Sequence, residues 1–317
     1  MNRDWFRTSA HHPGRSLEIV RIAVALILIT HPVYALTHPA NIRGLGQILE
    51  ARGLPIGLTL AWAAILTQAI CCLMLLTPKR ILTPKQIWSG WLILPGCLGN
   101  IVVLAMGILL VHAPRWRTVG LPDGDQQPGA EFSVLLIACL AGVLWAYWPR
   151  PADRPAKRLA NEPSSSTDNS ASTSRVSASR GFALVGYAAP LILLIHPVGG
   201  LVTATHDPEG LHQLGLYFSF IGYPFGVVLV WVAMFAQIAC SLAIVLRRCV
   251  AAACLGHIYV LGTGIWLFHA PFWFAIGPAN VVGPGQEGME YSVLLVSCFV
   301  SLILAYWPRQ PIQSSWR

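Results

Sequence analysis

Eight long apolar segments divide the sequence, and they limit what the chain can fold into more than any other feature. They cover residues 17–38, 57–77, 88–112, 130–148, 181–203, 225–246, 248–270 and 289–307. An apolar run of about 18 residues or more can cross a bilayer as a helix, which satisfies its backbone polar groups internally. Charged residues make up only 11% of the chain, against about a quarter in soluble domains. The sequence therefore predicts an all-α integral membrane protein with eight transmembrane helices.

The net charge is +8, and most of the basic residues that produce it lie in alternate loops. Basic residues precede the first apolar segment, separate the second from the third, the fourth from the fifth and the sixth from the seventh, and follow the eighth. Cytoplasmic loops carry an excess of Lys and Arg, so we expect a multi-pass protein of the cell inner membrane, surrounded by lipid, with both termini cytoplasmic. This distribution is a signal of topology and does not indicate binding to nucleic acid. The first segment lacks a small-residue cleavage site, so we expect it to be kept as a helix.

The chain contains one unit twice. Residues 96–114 align without gaps on 253–271, and 131–150 align on 290–309, with more than half of the positions identical in each case. Each copy holds four apolar segments and so enters and leaves the membrane on the same side. The repeats are therefore expected to be parallel, related by an axis along the membrane normal.

This repeat sets the expected domains. The first four-helix unit takes residues 1–150 and the second takes 181–317. Residues 151–180, rich in Ser, Thr, Pro and Asn, are expected to be a disordered cytoplasmic linker. The predicted fold is two four-helix bundles.

An ionisable pair recurs at the ends of apolar segments. His112 ends the third segment, is followed by Ala-Pro, and precedes Glu131 at the start of the fourth; His269 and Glu290 repeat this in the second unit. Ionisable residues at membrane depth are costly and often functional. These four are the candidate catalytic residues.

Further histidines are expected on the same side of the membrane. The direction of the first segment places His31 and His38 toward the side where Glu131 begins its segment, and His196 and His206 repeat this. They are the candidate cofactor-binding residues. We expect each unit to assemble its own cluster.

Cysteine does not indicate a redox motif. None of the eight cysteines forms Cys-x-x-Cys, and Cys139 recurs as Cys298 within the apolar segments. Packing as small hydrophobic residues is one interpretation; a disulfide or thiol centre is the other.

A short helix between the first two segments, carrying Ile42 and Leu49 at helical spacing, is followed by Gly53-Leu54-Pro55. With His112 ending the third segment and Glu131-Phe132 opening the fourth, this pattern resembles the DoxX family. The resemblance covers essentially the whole chain as two tandem units, whereas members usually have one. It implies a four-helix membrane unit, and it matches the family's polar pair to His112 with Glu131 and to His269 with Glu290. The family takes its name from membrane subunits linked to quinone-dependent oxidoreductases.

Three interpretations of the His–Glu clusters stay open. The side chains could satisfy carbonyls freed by Pro32 and Pro197, hydrogen-bond a quinone and pass protons, or coordinate a metal, although no standard metal spacing is present. No Gly-rich phosphate loop or dinucleotide fingerprint is found in the sequence, so a soluble extracytoplasmic redox protein would have to deliver electrons.

The leading hypothesis is therefore a quinone-interacting membrane subunit of an oxidoreductase system. The alternatives are a non-catalytic anchor or scaffold for an extracytoplasmic redox enzyme, and a small transporter that uses the interface between the repeats. Whether the protein forms a homo-oligomer is left open by the sequence.

Overall fold

The computed structural model describes residues 13–77, 87–112, 130–148, 167–206, 208–269 and 289–307. Within these ranges all regular structure is helical, as the apolar segments predict. The helices are α1 (Pro13–Thr37), α2 (Pro39–Ala51), α3 (Gly57–Leu76), α4 (Ile87–Gly107), α5 (Glu131–Tyr147), α6 (Thr167–His206), α7 (Pro208–Phe220), α8 (Gly226–Val245), α9 (Val250–Gly264) and α10 (Glu290–Tyr306). Helices α4 and α9 each continue into one π-helical turn, Ile108–His112 and Ile265–His269 respectively.

Six helical segments of the described chain are long and apolar enough to cross a membrane. They are Pro13–Thr37, Gly57–Leu76, Leu92–Leu110, Ser179–His206, Gly226–Val245 and Val250–Leu267. The two remaining predicted segments, 130–148 and 289–307, form the apolar helices α5 and α10, each of 17 residues. A membrane protein with an all-helical fold is therefore supported by six spans and two shorter apolar helices.

Helix α6 differs from the expected linker. It begins at Thr167 and runs without interruption to His206, so residues 167–180 are helical, and 151–166 lie outside the described residues. Extending an existing helix is much easier than starting one, because each added residue gains a hydrogen bond after nucleation. The apolar segment that follows therefore accounts for helix in a stretch whose polar composition predicted disorder.

The two repeats pack against each other through their first and fourth long helices. Helix α1 contacts α10, and α5 contacts α6, so each of these pairs joins one unit to the other. One continuous core includes buried residues from all four helices, among them Val24, Leu135, Val185 and Leu294. The contact between the units is thus part of the main hydrophobic core.

The α5–α6 contact depends on small residues. A Cβ atom added to Gly142 would lie 2.6 Å from the carbonyl oxygen of Gly181, and one added to Gly181 would lie 2.2 Å from that of Gly142. The aligned positions in α10 and α1 are Ser301 and Ser16, both buried. Small residues let membrane helices approach closely, and both contacts between the units use them.

The predicted short helix after α1 is confirmed as α2, and α7 is its counterpart. Each is followed by a glycine with positive φ, Gly53 at +86° and Gly222 at +97°, a conformation that glycine adopts without steric cost. The Gly-x-Pro sequence is therefore the turn that leads into α3 and α8.

Candidate functional site

His31 lies in α1 directly before Pro32, in the core-facing half of the helix. Pro32 has no N–H to donate within the helix, which leaves the carbonyl of Leu28 without its usual partner. The imidazole is 6.4 Å, between ring centroids, from Phe132 at the start of α5. It lies near the main-chain carbonyl of Ile27, but its buried Nδ1 makes no hydrogen bond of normal geometry with the described residues. A buried imidazole nitrogen is therefore left available for a partner.

The carboxylate that His31 faces belongs to the other unit. Its imidazole interacts electrostatically with Glu290, in the first turn of α10. Glu290 is only 5% exposed. Its position at a helix N-terminus favours a negative charge, because the helix dipole is positive there.

His196 forms the reciprocal arrangement. It lies in α6 directly before Pro197 and interacts electrostatically with Glu131, in the first turn of α5. Glu131 is half-buried. Each unit thus supplies a histidine to the other unit's glutamate, and we call His31, Glu290, His196 and Glu131 the exchanged pairs.

The expectation that each unit assembles its own cluster does not include these interactions: His31 and His196 each interact electrostatically with the glutamate of the other unit, while the His31 ring also lies near Phe132 of its own unit. The structure shows that α1 also packs on α10, and α6 on α5, which brings each histidine toward the partner repeat. An internal repeat specifies what each unit contains but not which unit it packs against.

Two aromatic rings follow the glutamates of the exchanged pairs in sequence and contact each other. Phe132 follows Glu131, and Tyr291 follows Glu290; their ring centroids are 5.9 Å apart at an interplanar angle of 77°. Edge-to-face contacts of this kind are favourable beyond the area they bury. The motif Glu-(Phe/Tyr) thus places a charge and a ring from each unit at the same seam.

The outer two candidate histidines are exposed and make local contacts. Nδ1 of His38 lies 3.0 Å from the Thr37 hydroxyl and 3.1 Å from the Tyr34 carbonyl oxygen. Nδ1 of His206 lies 3.1 Å from the Thr205 hydroxyl. Their assignment to cofactor binding stays a prediction.

His112 and His269 end the two π-helical turns. Their side chains lie outside the described part of the structure, so the predicted pairs His112–Glu131 and His269–Glu290 stay predictions. Among the side chains that are described, no group of three or more His, Cys, Asp or Glu residues is arranged to hold a metal ion.

Toward the other end of α1, about 15 Å from His31 along the helix axis, a buried arginine makes several polar contacts. Arg21 is 3% exposed and forms an ion pair with Glu18, at 2.8 Å. It also donates to the carbonyl of Leu75, and the Tyr147 hydroxyl donates to Glu18. Sequence spacing could not have indicated Tyr147, because it lies 129 positions from Glu18.

The second unit also has an arginine at this end, but the arginine comes from a different position in the repeat and contacts tyrosine hydroxyls. Arg247, in the turn between α8 and α9, donates to the hydroxyls of Tyr187 and Tyr306, and its guanidinium lies 4.6 Å from the centroid of the Tyr187 ring. Tyr306 aligns with Tyr147. Both units therefore place an arginine network at this end, which fits a structural role.

A second buried histidine lies within the second unit. His257 in α9 pairs through Nε2 with the Ser241 hydroxyl of α8 at 3.1 Å. Its ring stacks on Phe299 at 4.7 Å between centroids. Asn100 occupies the aligned position in the first unit and donates to the Gly96 carbonyl.

Comparison of the chain with models of protein families, with curated proteins and with solved structures finds no match. The resemblance to the DoxX family therefore remains a prediction from the residues of this chain.

Proposed function

We propose that this protein is a quinone-interacting membrane subunit of an oxidoreductase system, built as two DoxX-like units. The observation that carries the proposal is that His31 and His196 each interact electrostatically with the glutamate of the other unit. A para-quinone has a planar ring with one carbonyl oxygen at each end. A site with two His–Glu pairs, each made by a histidine of one unit and a glutamate of the other, offers hydrogen-bonding groups to both ends.

The aromatic pair supports the same ligand class. Phe132 and Tyr291, next to the two glutamates in sequence, present ring surface to each other, and flat apolar ligands gain from contacts with such rings. When bound, a quinone would supply the electron-accepting chemistry. The imidazoles of His31 and His196 would donate hydrogen bonds to it, and Glu131 and Glu290 would orient those rings and pass protons.

The proposal includes an arrangement in the membrane. Eight helices form two parallel-related four-helix bundles, α5 and α10 complete the eight spans, and both termini lie in the cytoplasm. The exchanged pairs then open to the outer face, where an extracytoplasmic redox protein can deliver electrons. The distribution of Lys and Arg supports this orientation.

The test is quinone content after purification in mild detergent, measured by mass spectrometry of extracted lipids. We expect a bound quinone in the wild type and a loss of most of it in the Glu131→Gln/Glu290→Gln double variant. Glu50→Gln is the matched control, since Glu50 is exposed on α2. Elemental analysis of the same sample determines whether a metal ion is bound. If the wild type holds no quinone and does not bind added quinone, the proposal is wrong.

A scaffold for an extracytoplasmic redox enzyme is the alternative, and one observation favours it. At the α7–α8 turn, Phe220 and Phe225 are 86% and 81% exposed, whereas Ala51 stands at the position that aligns with Phe220. Large exposed aromatic side chains often mark interaction sites. A scaffold predicts that Phe220→Ala/Phe225→Ala removes a co-purifying partner and leaves quinone content unchanged.

A further inference from the structure

Two aligned cysteines meet at the contact between the units. Cys139 in α5 and Cys298 in α10 occupy the same position of the repeat, eight residues after Glu131 and Glu290 respectively. Their sulfur atoms are 3.7 Å apart. Both are fully buried and reduced in the structure. The pair therefore joins equivalent helices of the two units by a thiol–thiol contact.

We infer that Cys139 and Cys298 are a redox-active pair that forms a reversible disulfide across the seam. A disulfide has a sulfur–sulfur distance of about 2.0 Å, so the atoms must approach by less than 2 Å, which side-chain rotation and a small helix movement supply. Aligned residues of a parallel repeat are brought face to face by the repeat itself. The contact is thus a consequence of the architecture that joins the two halves.

Neither thiol is exposed at the surface of the described structure, so the helices must separate locally before an oxidant can reach the sulfur atoms. Within a membrane, a lipid-soluble quinone is the class of oxidant that can reach them. The two thiols give up two protons and two electrons, their S–H bonds break, one S–S bond forms, and the quinone is reduced to a quinol. This quinone reacts from the bilayer and need not occupy the site at the exchanged pairs, so the inference does not depend on the proposed function.

The disulfide would restrict the movement of Glu131 and Glu290, which lie toward the N-terminal ends of the same two helices. Eight residues of helix correspond to about 12 Å, which places the thiol pair two turns below both glutamates on the same helices. A covalent link here ties α5 to α10 and so fixes the separation of Glu131 from Glu290. It would also close a loop of 159 residues, which joins the two units covalently.

The experiment uses the full chain in liposomes, treated with tetramethyl-para-benzoquinone, whose fully substituted ring resists addition of thiols. Remaining thiols are blocked in denaturant, and the digest is searched by mass spectrometry for the Cys139–Cys298 linked peptide. We expect this peptide to become the major cysteine cross-link and dithiothreitol to remove it. Cys139→Ala and Cys298→Ala should each abolish it.

Cys97→Ala and Cys254→Ala are the matched controls, because they are the aligned buried cysteines of α4 and α9. Both should leave the linked peptide unchanged. The inference is overturned if Cys139 and Cys298 stay reduced under conditions that oxidise other cysteines of the same chain. It is also overturned if the linked peptide forms equally in protein unfolded before oxidation, since the contact would then have no part in it.

Discussion

His31 of the first unit faces the carboxylate of Glu290, which the second unit contributes. The reciprocal relationship joins His196 to Glu131. The ionisable groups of each unit therefore interact across the contact between the two halves of the chain.

This coupling can be measured by a double-mutant cycle on the free energy of unfolding in detergent. We expect His31→Ala and Glu290→Gln to show a coupling of about 0.5–3 kcal/mol, the range for groups that interact. His31→Ala combined with Glu50→Gln should be additive within about 0.5 kcal/mol. Additivity of the His31–Glu290 pair as well would contradict the exchanged arrangement.

The glycine contact between α5 and α6 gives a second prediction. Gly142→Ala should destabilise the protein by about 1–3 kcal/mol, because the new methyl group would collide with the Gly181 backbone. Gly262→Ala is the control, since nothing lies within 4 Å of a Cβ at that position of α9. There the substitution should stabilise by roughly 0.5–1 kcal/mol through helix propensity. Thermal unfolding of the two variants would separate them, and equal unfolding temperatures would contradict the close approach.

The contacts of Arg21 predict that removing this one charge lowers the free energy of unfolding strongly. Arg21→Ala removes the partner of Glu18 and a donor to the Leu75 carbonyl, and breaking such a buried pair costs about 3–5 kcal/mol. Arg248→Ala, on an exposed arginine, should stay within about 0.5 kcal/mol. Denaturant unfolding measures both. A loss for Arg21→Ala no larger than that for Arg248→Ala would mean that the network contributes little.

The hydrogen bond of His257 can be tested by giving the second unit the residue that the first unit has at the aligned position. Ser241→Ala removes the hydrogen-bond partner of Nε2 and should cost about 1–3 kcal/mol, because a buried polar atom loses its bond. His257→Asn places in α9 the residue that α4 has at Asn100, whose amide bonds to a carbonyl four residues earlier. Combined with Ser241→Ala, it should recover most of the lost unfolding temperature. No recovery would mean that the local bond of Asn100 does not transfer.

Much of the fold could be predicted from composition and periodicity. Apolar length predicted the long helices, and the short helix that ends before Gly53 was predicted from the spacing of Ile42 and Leu49. These features depend on residues close in sequence, for which the geometry of a single helix or turn determines which side chains are neighbours.

The site was harder, since its contacts join residues far apart. Nothing in the spacing of His31 indicates that its carboxylate is Glu290 rather than Glu131, because both begin the same motif. The choice depends on how four helix faces pack, and α1 has apolar residues toward α3, α5, α6 and α10. The same holds for Tyr147, whose hydroxyl reaches Glu18 only through that packing.

The contact of α1 with α10 also has a consequence for the order in which the protein is made. The arginine end of α1 finds Leu75 and Tyr147 within the first unit. The histidine end interacts with Glu290, which is made much later. At about 5–20 residues per second, the ribosome needs about 15–50 s for the roughly 260 residues between His31 and Glu290. Throughout that interval the glutamate with which His31 interacts in the finished protein has not yet been made. Assembly of the site is therefore a late event, completed only when the last helix of the second unit arrives beside the first helix of the chain.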